Sequence, residues 1–551
     1  MLPAKNLRRW PAGLPLHLEL PQTSLYYNLE VSAHRYPNRA ALIYYGTEIS
    51  YSRVKSEVDS LAGFLQQRFE ITKGDRVVLF MQNCPQFVIA FYAILKCGGV
   101  VVPVNPMNRA SELSAIVGDS GSKVGIFADE RAAEMASVLG KQLRYALSVH
   151  YGDYLGDTSE LPIPDLVRAP RSLLAGAVDW QEALQSAARP LDVPVIADDL
   201  ALLAYTSGTT GDPKGCMHTH ASVMHTTVAS MEFCHAAKDQ VVLAALPLFH
   251  VTGLQLSMNA AIFDGSNIVL MTRWDRQCAA LLIERYGVTA WTAAPSMLID
   301  FLAQPELDRF ELGSLRLLTG GGAAMPRAIA EKIKALWNLS YIEGYGLSET
   351  IATSLTNPVQ RPKAQCLGMP IQDTRAVIVN PYTLELVTAG EVGEILLSGP
   401  QIFLGYWQKP EATAAAFVDI EGCRFFRTGD LGYEDEEGYF FIVDRLKRMI
   451  NASGYKVWPA EVESHFYAHP AILEACVIAA SDTHRGETVK LVAVLRAGMS
   501  ASTEELSAWA RERMAIYKVP KLYHFVDSLP KSGSGKVQWR VLQEREPLSA
   551  N

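Results

Sequence analysis

A short polar segment, Thr206–Gly215, carries the residue types that would bind a triphosphate. It directly follows an apolar run, Leu200–Tyr205, that predicts a buried strand, and it precedes a stretch that predicts a helix. Glycines let backbone N–H groups approach an anion, hydroxyl side chains add donors, and the lysine adds a positive charge. The residues expected to contact the phosphates are Thr206, Ser207, Gly208, Thr209, Thr210, Gly211 and Lys214.

The spacing of this segment excludes the commoner nucleotide-binding loops. Counted from Gly208, Pro213 stands where a Walker A loop needs its second glycine, and Gly215 where it needs Ser or Thr. A dinucleotide fingerprint that begins at Gly344 fails because Glu349 replaces its last glycine. The sequence contains no G-x-S-x-G segment, which excludes an α/β-hydrolase elbow. The phosphate loop is therefore of another kind.

The elements expected to position this loop alternate between strand and helix from residue 50 to residue 350. Such alternation predicts parallel sheets covered by helices on both faces, in the α/β class. A looser stretch with prolines, residues 150–195, predicts a surface excursion. The predicted strands are Arg76–Phe80, Val100–Val104, Leu200–Tyr205, Val241–Leu246 and Leu315–Leu318, and the predicted helices are Gln86–Lys96, Ala110–Val117, Ser222–Cys234 and Gln277–Tyr286.

The pattern of predicted helices and strands changes twice more towards the end of the chain. After residue 360, short strands and turns such as Gly393–Leu397 predict a small β-rich subdomain resembling a barrel. Past Asp444, a helix that begins near Pro459, two strands and a further helix predict a compact α+β unit. We therefore predict an N-terminal domain with two βαβ-type subdomains and a β-barrel-like one over residues 1–443, a hinge over 444–448, and a C-terminal domain over 449–551.

Composition and charge exclude several classes of protein. The chain has 551 residues, 49% hydrophobic and 20% charged, which is typical of a soluble protein with a large core. At about 150 residues per domain, this length predicts about three or four units. The net charge of −8 argues against a nucleic-acid-binding protein. Eight cysteines without a C-x-x-C pair, no leader and no membrane-spanning run together predict a cytoplasmic location.

Five further motifs follow the phosphate loop in order. They are Tyr345–Thr350 (Y-G-x-T/S-E), Thr428–Asp430 (T-G-D), Asp444–Ile450, Gly454–Glu463 and the lysine motif Leu529–Lys536. With these motifs the chain resembles the adenylate-forming superfamily, which comprises acyl-CoA synthetases, peptide-synthetase adenylation domains and firefly-type luciferases. The resemblance extends from Gly74 to Lys536, and the Gly454–Glu463 motif is similar to the acyl-CoA synthetase version.

The resemblance implies how ATP and Mg²⁺ would bind. Glu349 would hold Mg²⁺, a hard cation that takes few carboxylates together with phosphate oxygens. Asp430, assisted by Arg445, would bind the ribose hydroxyls, and Thr206 would act beside Glu349 in catalysis. The adenine would lie against residues of two segments, namely Gly321, Gly322, Ala323, Tyr345, Gly346 and Ser348.

The resemblance also implies a mobile C-terminal domain that carries the catalytic lysine. Lys536 would lie between the attacking carboxylate and the α-phosphate, where it offsets the repulsion of two anions and orients both reactants. Rotation of the domain about Lys447 would then remove Lys536. The same rotation would present Gly454 and Lys456 for the reaction with coenzyme A.

The acyl pocket is expected around His250, Trp291 and Gly320. His250 ends a predicted strand and resembles the family's H-x-x-G motif, near the acyl carboxylate; a hydrogen-bonded core histidine is the alternative. Three other histidines, His218, His220 and His225, follow the phosphate loop on the predicted helix. The first two face different sides of a helix, and no carboxylate or cysteine accompanies them, so metal binding is not expected there.

The function implied is an ATP-dependent fatty acid–CoA ligase for medium- to long-chain acids. It would form acyl-AMP with release of pyrophosphate, and then acyl-CoA with release of AMP. The alternatives are an aryl acid–CoA ligase, an acyl-AMP ligase that delivers to a carrier protein, a luciferase-like oxygenase, and a degenerate acyl- or nucleotide-binding protein. The expected partners are an apolar carboxylic acid, ATP and coenzyme A, with no nucleic acid; peripheral membrane association and a homodimer stay open.

Overall fold

Runs of β-branched and aromatic residues form two large sheets in the computed structural model, which describes residues 10–156, 160–207, 213–234, 239–452, 455–482, 486–531 and 537–546. The first sheet has seven strands and is parallel except for its last pair. In sheet order the strands are Val178–Asp179, Tyr145–Val149, Val124–Ala128, Arg76–Phe80, Val100–Pro103, Leu200–Ser207 and Pro213–Thr219.

The second sheet has nine strands. Six consecutive strands of this sheet run parallel to one another, in five pairs. Antiparallel strands complete both of its edges. In sheet order the strands are Met369–Pro370, Ala352–Thr356, Tyr341–Leu347, Leu317–Gly321, Ala290–Thr292, Val241–Ala244, Asn267–Leu270, Ala40–Tyr44 and Thr47–Ser50. The predicted α/β class with two parallel sheets is confirmed.

Helices follow most of these parallel strands, as the alternating pattern predicts. The helix Pro85–Lys96 buries every residue from Pro85 to Leu95, in keeping with its continuous apolar run. The helices of this part are Tyr26–Arg35, Tyr51–Arg68, Pro85–Lys96, Ala110–Ser120, Ala132–Ala136, Asp165–Arg168, Trp180–Gln185, His220–Phe233, Ala260–Asp264, Arg276–Tyr286, Pro295–Leu302, Arg327–Trp337 and Pro410–Ala415, with a π-helical stretch at Gly253–Asn259.

The stretch 150–195 is more than a surface excursion. Its strand Val178–Asp179 pairs in parallel with Tyr145–Val149, and both Tyr151 and Trp180 are fully buried. The indole N–H of Trp180 donates to the Tyr154 hydroxyl at 3.2 Å. The buried side chains of Tyr151 and Trp180 therefore fix residues 150–195 against the core, although the prolines of this segment suggested a surface loop.

Two smaller sheets complete the chain. One contains Arg375–Val379, Gly393–Ser398, Cys423–Glu434, Phe417–Ile420 and Phe440–Arg445, and the other contains Tyr455–Val457, Ile450–Ala452, Gly486–Leu495, Ile472–Asp482 and Leu522–Phe525. The last part also has the helices Pro459–Tyr467, Thr503–Arg511 and Trp539–Glu544. No helix of the described ranges is long and apolar enough to cross a membrane.

The described residues divide into two compact units. One comprises the chain up to residue 375 together with residues 397–426, and the other comprises residues 376–396 together with those from 427 on. The predicted hinge, 444–448, falls within the second unit, where Leu446–Arg448 form a short 3-10 helix. The domain boundaries drawn from the sequence stay a prediction.

Candidate active site

Two paired antiparallel strands flank the phosphate loop, whereas the sequence predicted only a strand before it and a helix after it. Strand Leu200–Ser207 pairs antiparallel with Pro213–Thr219, so that Thr206 lies opposite Lys214. A helix begins only at His220, because the Thr219 hydroxyl caps it by accepting a hydrogen bond from the Ser222 N–H at 3.1 Å. In sequence the loop follows the carboxyl end of Leu200–Ser207, which pairs in parallel with Val100–Pro103, and ligands of such sheets usually bind at that end.

A distant segment, Leu404–Trp407, explains why residues after the loop form a strand. The Met217 N–H donates to the Gly405 carbonyl and the Leu404 N–H donates to the Met217 carbonyl, both at 3.0 Å. The Trp407 N–H donates to the Gly215 carbonyl at 2.8 Å. The strand Pro213–Thr219 thus has backbone partners on both sides, which a helix here would lose.

Glu349 lies on a tight turn that follows the carboxyl end of strand Tyr341–Leu347. Its Oε1 accepts a hydrogen bond from the Tyr406 hydroxyl at 2.8 Å, and its carbonyl accepts one from the Phe403 N–H at 2.9 Å. The ring centre of Tyr406 lies 5.1 Å from Lys214 Nζ. The loop lysine and the predicted metal-binding carboxylate are therefore brought together through one tyrosine.

The turn that carries Glu349 is held in an unusual backbone conformation. Ile351 and Ala352 both have positive φ, +43° and +77°, which is rare for residues other than glycine and rarest for a β-branched one. The Thr350 hydroxyl accepts from the Leu347 N–H at 2.9 Å and donates to the Ala352 carbonyl at 2.8 Å. Such strain persists only where surrounding contacts impose it, and it concentrates at functional sites.

Glycines let the predicted adenine wall pack closely. A Cβ on Gly321 would lie 2.3 Å from the Gly344 carbonyl oxygen, and one on Gly346 would lie 1.3 Å from that of Ala352. A Cβ on Gly320 would lie 2.0 Å from the Ala293 carbonyl oxygen. The wall continues through Gly322, at φ +83°, into the exposed Ala323, and Tyr345 is buried on the neighbouring strand. These backbones meet only because side chains are absent.

Glu343 is a buried carboxyl in this wall that sequence reasoning missed. It lies two residues before Tyr345, and burial raises its pKa to about 7. Its carboxyl oxygens accept from the Met325 N–H at 3.2 Å and from the Gln365 N–H at 2.7 Å. It therefore ties two loops to the strand that carries Tyr345. The local sequence contains no signal for this role, since the donors come from distant loops.

The sequence predicted that His250 ends a strand, and this prediction is wrong. The strand ends at Ala244, and His250 lies in the turn that leads into the π-helical stretch Gly253–Asn259. Its Nδ1 accepts from the Thr252 N–H at 3.3 Å. A Cβ on Gly253 would lie 2.3 Å from the Pro247 carbonyl oxygen, so the glycine allows this tight turn.

Trp291 lies on the strand Ala290–Thr292 and is 1% exposed. Its ring stacks on Trp274 at 5.7 Å between centres and meets Phe301 edge-on at 5.1 Å. The side chain thus belongs to an aromatic cluster of the core. Its predicted place in the acyl pocket stays a prediction, as do those of His250 and Gly320.

The three histidines after the loop do not share one helix, since His218 lies on the strand Pro213–Thr219. His218 Nε2 donates to the Ser348 carbonyl at 2.7 Å, and burial lowers its pKa to about 4. His220 Nδ1 accepts from the Leu25 N–H at 3.1 Å. His225 Nε2 donates to the Gln372 carbonyl at 3.0 Å. Each ring thus has a separate backbone partner, and His218 links its strand to the Glu349 turn.

The T-G-D motif is built within the second unit. Asp430 is fully buried and lies opposite Arg445 on paired antiparallel strands, with Oδ1 2.9 Å from Arg445 Nε. The Thr428 hydroxyl donates to the Ile395 carbonyl at 2.7 Å and accepts from the Asp430 N–H at 3.0 Å. Gly429 has φ +68°, which lets the chain turn between them. The predicted ribose-binding pair is thus held in a defined geometry.

Several predicted site residues lie outside the described part of the structure. These are Gly208, Thr209, Thr210 and Gly211 of the phosphate loop and the predicted catalytic Lys536. The side chains of Ser207, Lys447 and Lys456 are likewise outside it. Their assignments stay predictions.

The donor set at Glu349 fits Mg²⁺ that arrives with a polyphosphate. Among the described residues, no group of three or more His, Cys, Asp or Glu is arranged to hold a metal ion. Mg²⁺ does not need one, because it takes one or two carboxylates and completes its shell with phosphate oxygens and water. Glu349 offers a hard carboxylate, and Lys214 lies near the ring of the same Tyr406 whose hydroxyl binds Glu349, so a cation is available beside it for phosphates.

Comparisons with known proteins extend over nearly the whole chain. A family model described as AMP-binding enzyme matches residues 29–407, and one described as AMP-binding enzyme C-terminal domain matches residues 461–536. The long-chain-fatty-acid–CoA ligase of Bacillus subtilis (strain 168) is 37% identical over 559 residues, with 98% of each chain covered. A feruloyl-CoA synthase of Amycolatopsis sp is 33% identical over 503 residues, which cover 91% of this chain and 94% of that protein.

The fold agrees with these matches. The crystal structure of ATP-bound MatB from Rhodopseudomonas palustris aligns with a TM-score of 0.83 at 27% identity, covering 95% of this chain and 99% of that chain. The family model, the relatives and the fold therefore indicate the same enzyme family. The chain belongs to the AMP-binding enzyme family and is an adenylate-forming acid–thiol ligase of the acyl-CoA synthetase type.

Proposed function

We propose that the protein is a fatty acid–CoA ligase for medium- to long-chain acids. The observation that carries the proposal is the cluster of Lys214, Tyr406 and Glu349. It offers a cation for phosphates beside a carboxylate for Mg²⁺. The fatty-acid part is supported by the ligase of Bacillus subtilis, which resembles this chain over 98% of both lengths.

In the first half-reaction a carboxylate oxygen of the acid attacks the α-phosphorus of ATP, and the bond to the β-phosphate breaks. The products are acyl-AMP and pyrophosphate. Thr206 and Lys214 would bind the phosphates, Tyr345 the adenine and Asp430 the ribose. Mg²⁺ on Glu349 would neutralise phosphate charge when bound. Lys536 would orient the carboxylate towards the α-phosphate.

In the second half-reaction the sulfur of coenzyme A attacks the acyl carbonyl carbon. The bond from this carbon to the AMP oxygen breaks, AMP leaves, and the thiol proton is lost to solvent or a base. Formation of a mixed anhydride divides one difficult substitution into two easier ones. Lys456 would then face the incoming substrate after rotation about Lys447.

An aryl acid is the second candidate, and a specific observation favours it. The helix His220–Phe233 buries the polar side chains of His225, Thr226, Thr227 and Ser230. Within the described atoms, His225 Nδ1 and Ser230 Oγ are buried without a hydrogen-bond partner. A hydroxylated ring would give such groups partners, and a feruloyl-CoA synthase is among the relatives.

Pyrophosphate release with a panel of acids tests both candidates. The panel contains saturated fatty acids of increasing chain length, benzoate and ferulate, each with and without coenzyme A. We expect the fastest release with a fatty acid of medium or long chain, and thioester only when coenzyme A is present. Faster turnover of ferulate would favour the second candidate. No release with any acid would contradict both.

A further inference from the structure

Tyr406 lies between the two charged side chains of the candidate site, and none of the motifs read from the sequence includes it. Its hydroxyl donates to Glu349 Oε1 at 2.8 Å, and its ring centre lies 5.1 Å from Lys214 Nζ. The hydroxyl and the ring thus have different charged partners. One side chain contacts both the phosphate-loop lysine and the carboxylate expected to hold Mg²⁺.

The backbone around Tyr406 is fixed on every side that the structure describes. Tyr406 forms a bridge with Cys216, the residue two positions after Lys214. Its own N–H donates to the Thr413 hydroxyl at 2.9 Å. Its ring meets Phe403 edge-on at 4.8 Å between centres. The backbone of Tyr406 is therefore anchored next to the strand that carries Lys214, and its ring packs against Phe403.

We propose that Tyr406 is a positioning residue, whose hydroxyl orients the Glu349 carboxylate for Mg²⁺ and whose ring holds Lys214 at the mouth of the phosphate loop. This inference rests on the proposed function, because it requires ATP and Mg²⁺ at this site. A residue that orients a metal-binding carboxylate changes metal affinity without touching the metal. A lysine held over an aromatic ring is released readily, because the phosphate offers a stronger interaction.

The two contacts can be separated by two substitutions. Tyr406→Phe removes the hydroxyl and keeps the ring beneath Lys214. Tyr406→Leu removes both. The inference therefore predicts that Tyr406→Phe changes the dependence on Mg²⁺, whereas Tyr406→Leu also weakens the binding of ATP without metal.

Tyr26 provides a matched control elsewhere in the same unit. Its hydroxyl lies 3.1 Å from Asp59 Oδ1, and Lys96 Nζ lies 4.1 Å from its ring centre. Tyr26→Phe thus removes a tyrosine hydroxyl that donates to a carboxylate, as Tyr406→Phe does, and it also removes an acceptor of Lys96 Nζ at 2.7 Å. It leaves the phosphate loop and Glu349 untouched.

Isothermal titration calorimetry with ATP, in the absence of any acid, tests the inference on the full chain. Each protein is titrated in EDTA and at a series of Mg²⁺ concentrations, and its thermal midpoint is recorded. We expect the Mg²⁺ concentration for half-maximal ATP binding to rise about tenfold in Tyr406→Phe, the size of a lost hydrogen bond to a charged group. ATP affinity in EDTA should stay unchanged in this variant and fall in Tyr406→Leu.

The outcomes distinguish a failure of the positioning role of Tyr406 from a failure of the proposed function. If Tyr406→Phe keeps the parent's Mg²⁺ dependence, or loses ATP affinity equally in EDTA and Mg²⁺, the positioning role is wrong and the proposed function is untouched. The same holds if Tyr26→Phe shows the same shift. If the parent itself binds ATP without any effect of Mg²⁺, the metal site at Glu349 is wrong, and this part of the proposed function fails with it.

Discussion

Two buried titratable residues support the segment that carries Tyr345: Glu343 lies on the same strand, and His218 donates to the Ser348 carbonyl just after it. Burial lowers the pKa of His218 to about 4 and raises that of Glu343 to about 7. In both cases burial disfavours the charged form, so both side chains are driven towards the neutral state. Because one is a base and the other an acid, their effects on stability run in opposite directions with pH.

His218 should make the protein sensitive to acid. Its pKa is about 6.5 in an unfolded chain and about 4 in the folded one, so protonation favours unfolding as pH falls from 6.5 towards 4. His218→Gln keeps an N–H donor for the Ser348 carbonyl but does not titrate. We expect the parent to lose about 3 kcal/mol relative to this variant between pH 7 and pH 4.

Thermal midpoints of the parent and His218→Gln across this pH range check the expectation. His218→Leu is the companion variant, since it leaves the buried Ser348 carbonyl without its donor and should be about 1–3 kcal/mol less stable than His218→Gln at every pH. Parallel midpoint curves for the parent and His218→Gln would contradict the burial argument.

Glu343 should act in the opposite direction. Its pKa is about 4.5 when unfolded and about 7 when folded, so the stability it contributes in its neutral form is fully present below pH 4.5 and is lost as pH rises through 7. Glu343→Gln removes this titration. The parent should lose about 3 kcal/mol relative to the variant between pH 4.5 and pH 8, read from thermal midpoints. A constant difference over this range would show that Glu343 titrates normally.

At the residue scale, the sequence indicated candidate residues of the site but not the contacts between them. Thr206, Lys214 and Glu349 could be named from motifs, because those residue types are rare in that order. Tyr406 and Glu343 could not be named, because their partners are distant in sequence and the contacts depend on the folded sheets. Local spacing contains no information about such contacts.

At the scale of elements, strands of the parallel sheets were the most predictable features. Arg76–Phe80 was found with the predicted bounds, because a buried parallel strand reads as one continuous apolar run. The pairing of Leu200–Ser207 with the strand after the phosphate loop was missed. The second strand, Pro213–Thr219, is polar at Lys214 and His218, and its pairing depends on Leu404–Trp407, far along the chain.

Close packing of two neighbouring strands predicts a test at this scale. Gly321 lies opposite Gly344 on parallel strands, where a Cβ would approach a carbonyl oxygen to 2.3 Å. Gly321→Ala should push the strands apart, cost about 1–3 kcal/mol and weaken ATP binding about tenfold. Gly313→Ala is the control, since no atom lies within 4 Å of its Cβ position. Calorimetric ATP affinity and thermal midpoints give the two readouts, and equal behaviour of both variants would contradict the argument.

At the scale of the whole molecule, net charge was a poor guide to partners. A chain with net charge −8 belongs to a family whose model is described as AMP-binding, so it must attract anions locally. Lys214 and Arg445 are predicted to contact such anions, and each lies beside an aromatic ring or a carboxylate. Length predicted about three or four units, whereas the described residues divide into two compact units, each contributed by separate segments of the chain.

The final prediction concerns the proposed rotation about Lys447 between the two half-reactions. If the C-terminal domain must rotate about Lys447, fixing the backbone there should stop the second half-reaction and spare the first. Lys447→Pro fixes φ at this position, whereas Lys447→Ala removes only the side chain. We expect Lys447→Pro to keep the acid-dependent burst of pyrophosphate and to lower thioester formation about a hundredfold, the size expected when reacting groups are misplaced. Lys447→Ala should keep both. Equal loss of both half-reactions in Lys447→Pro, with an unchanged thermal midpoint, would show that one arrangement of the chain serves both steps and that the hinge is wrong.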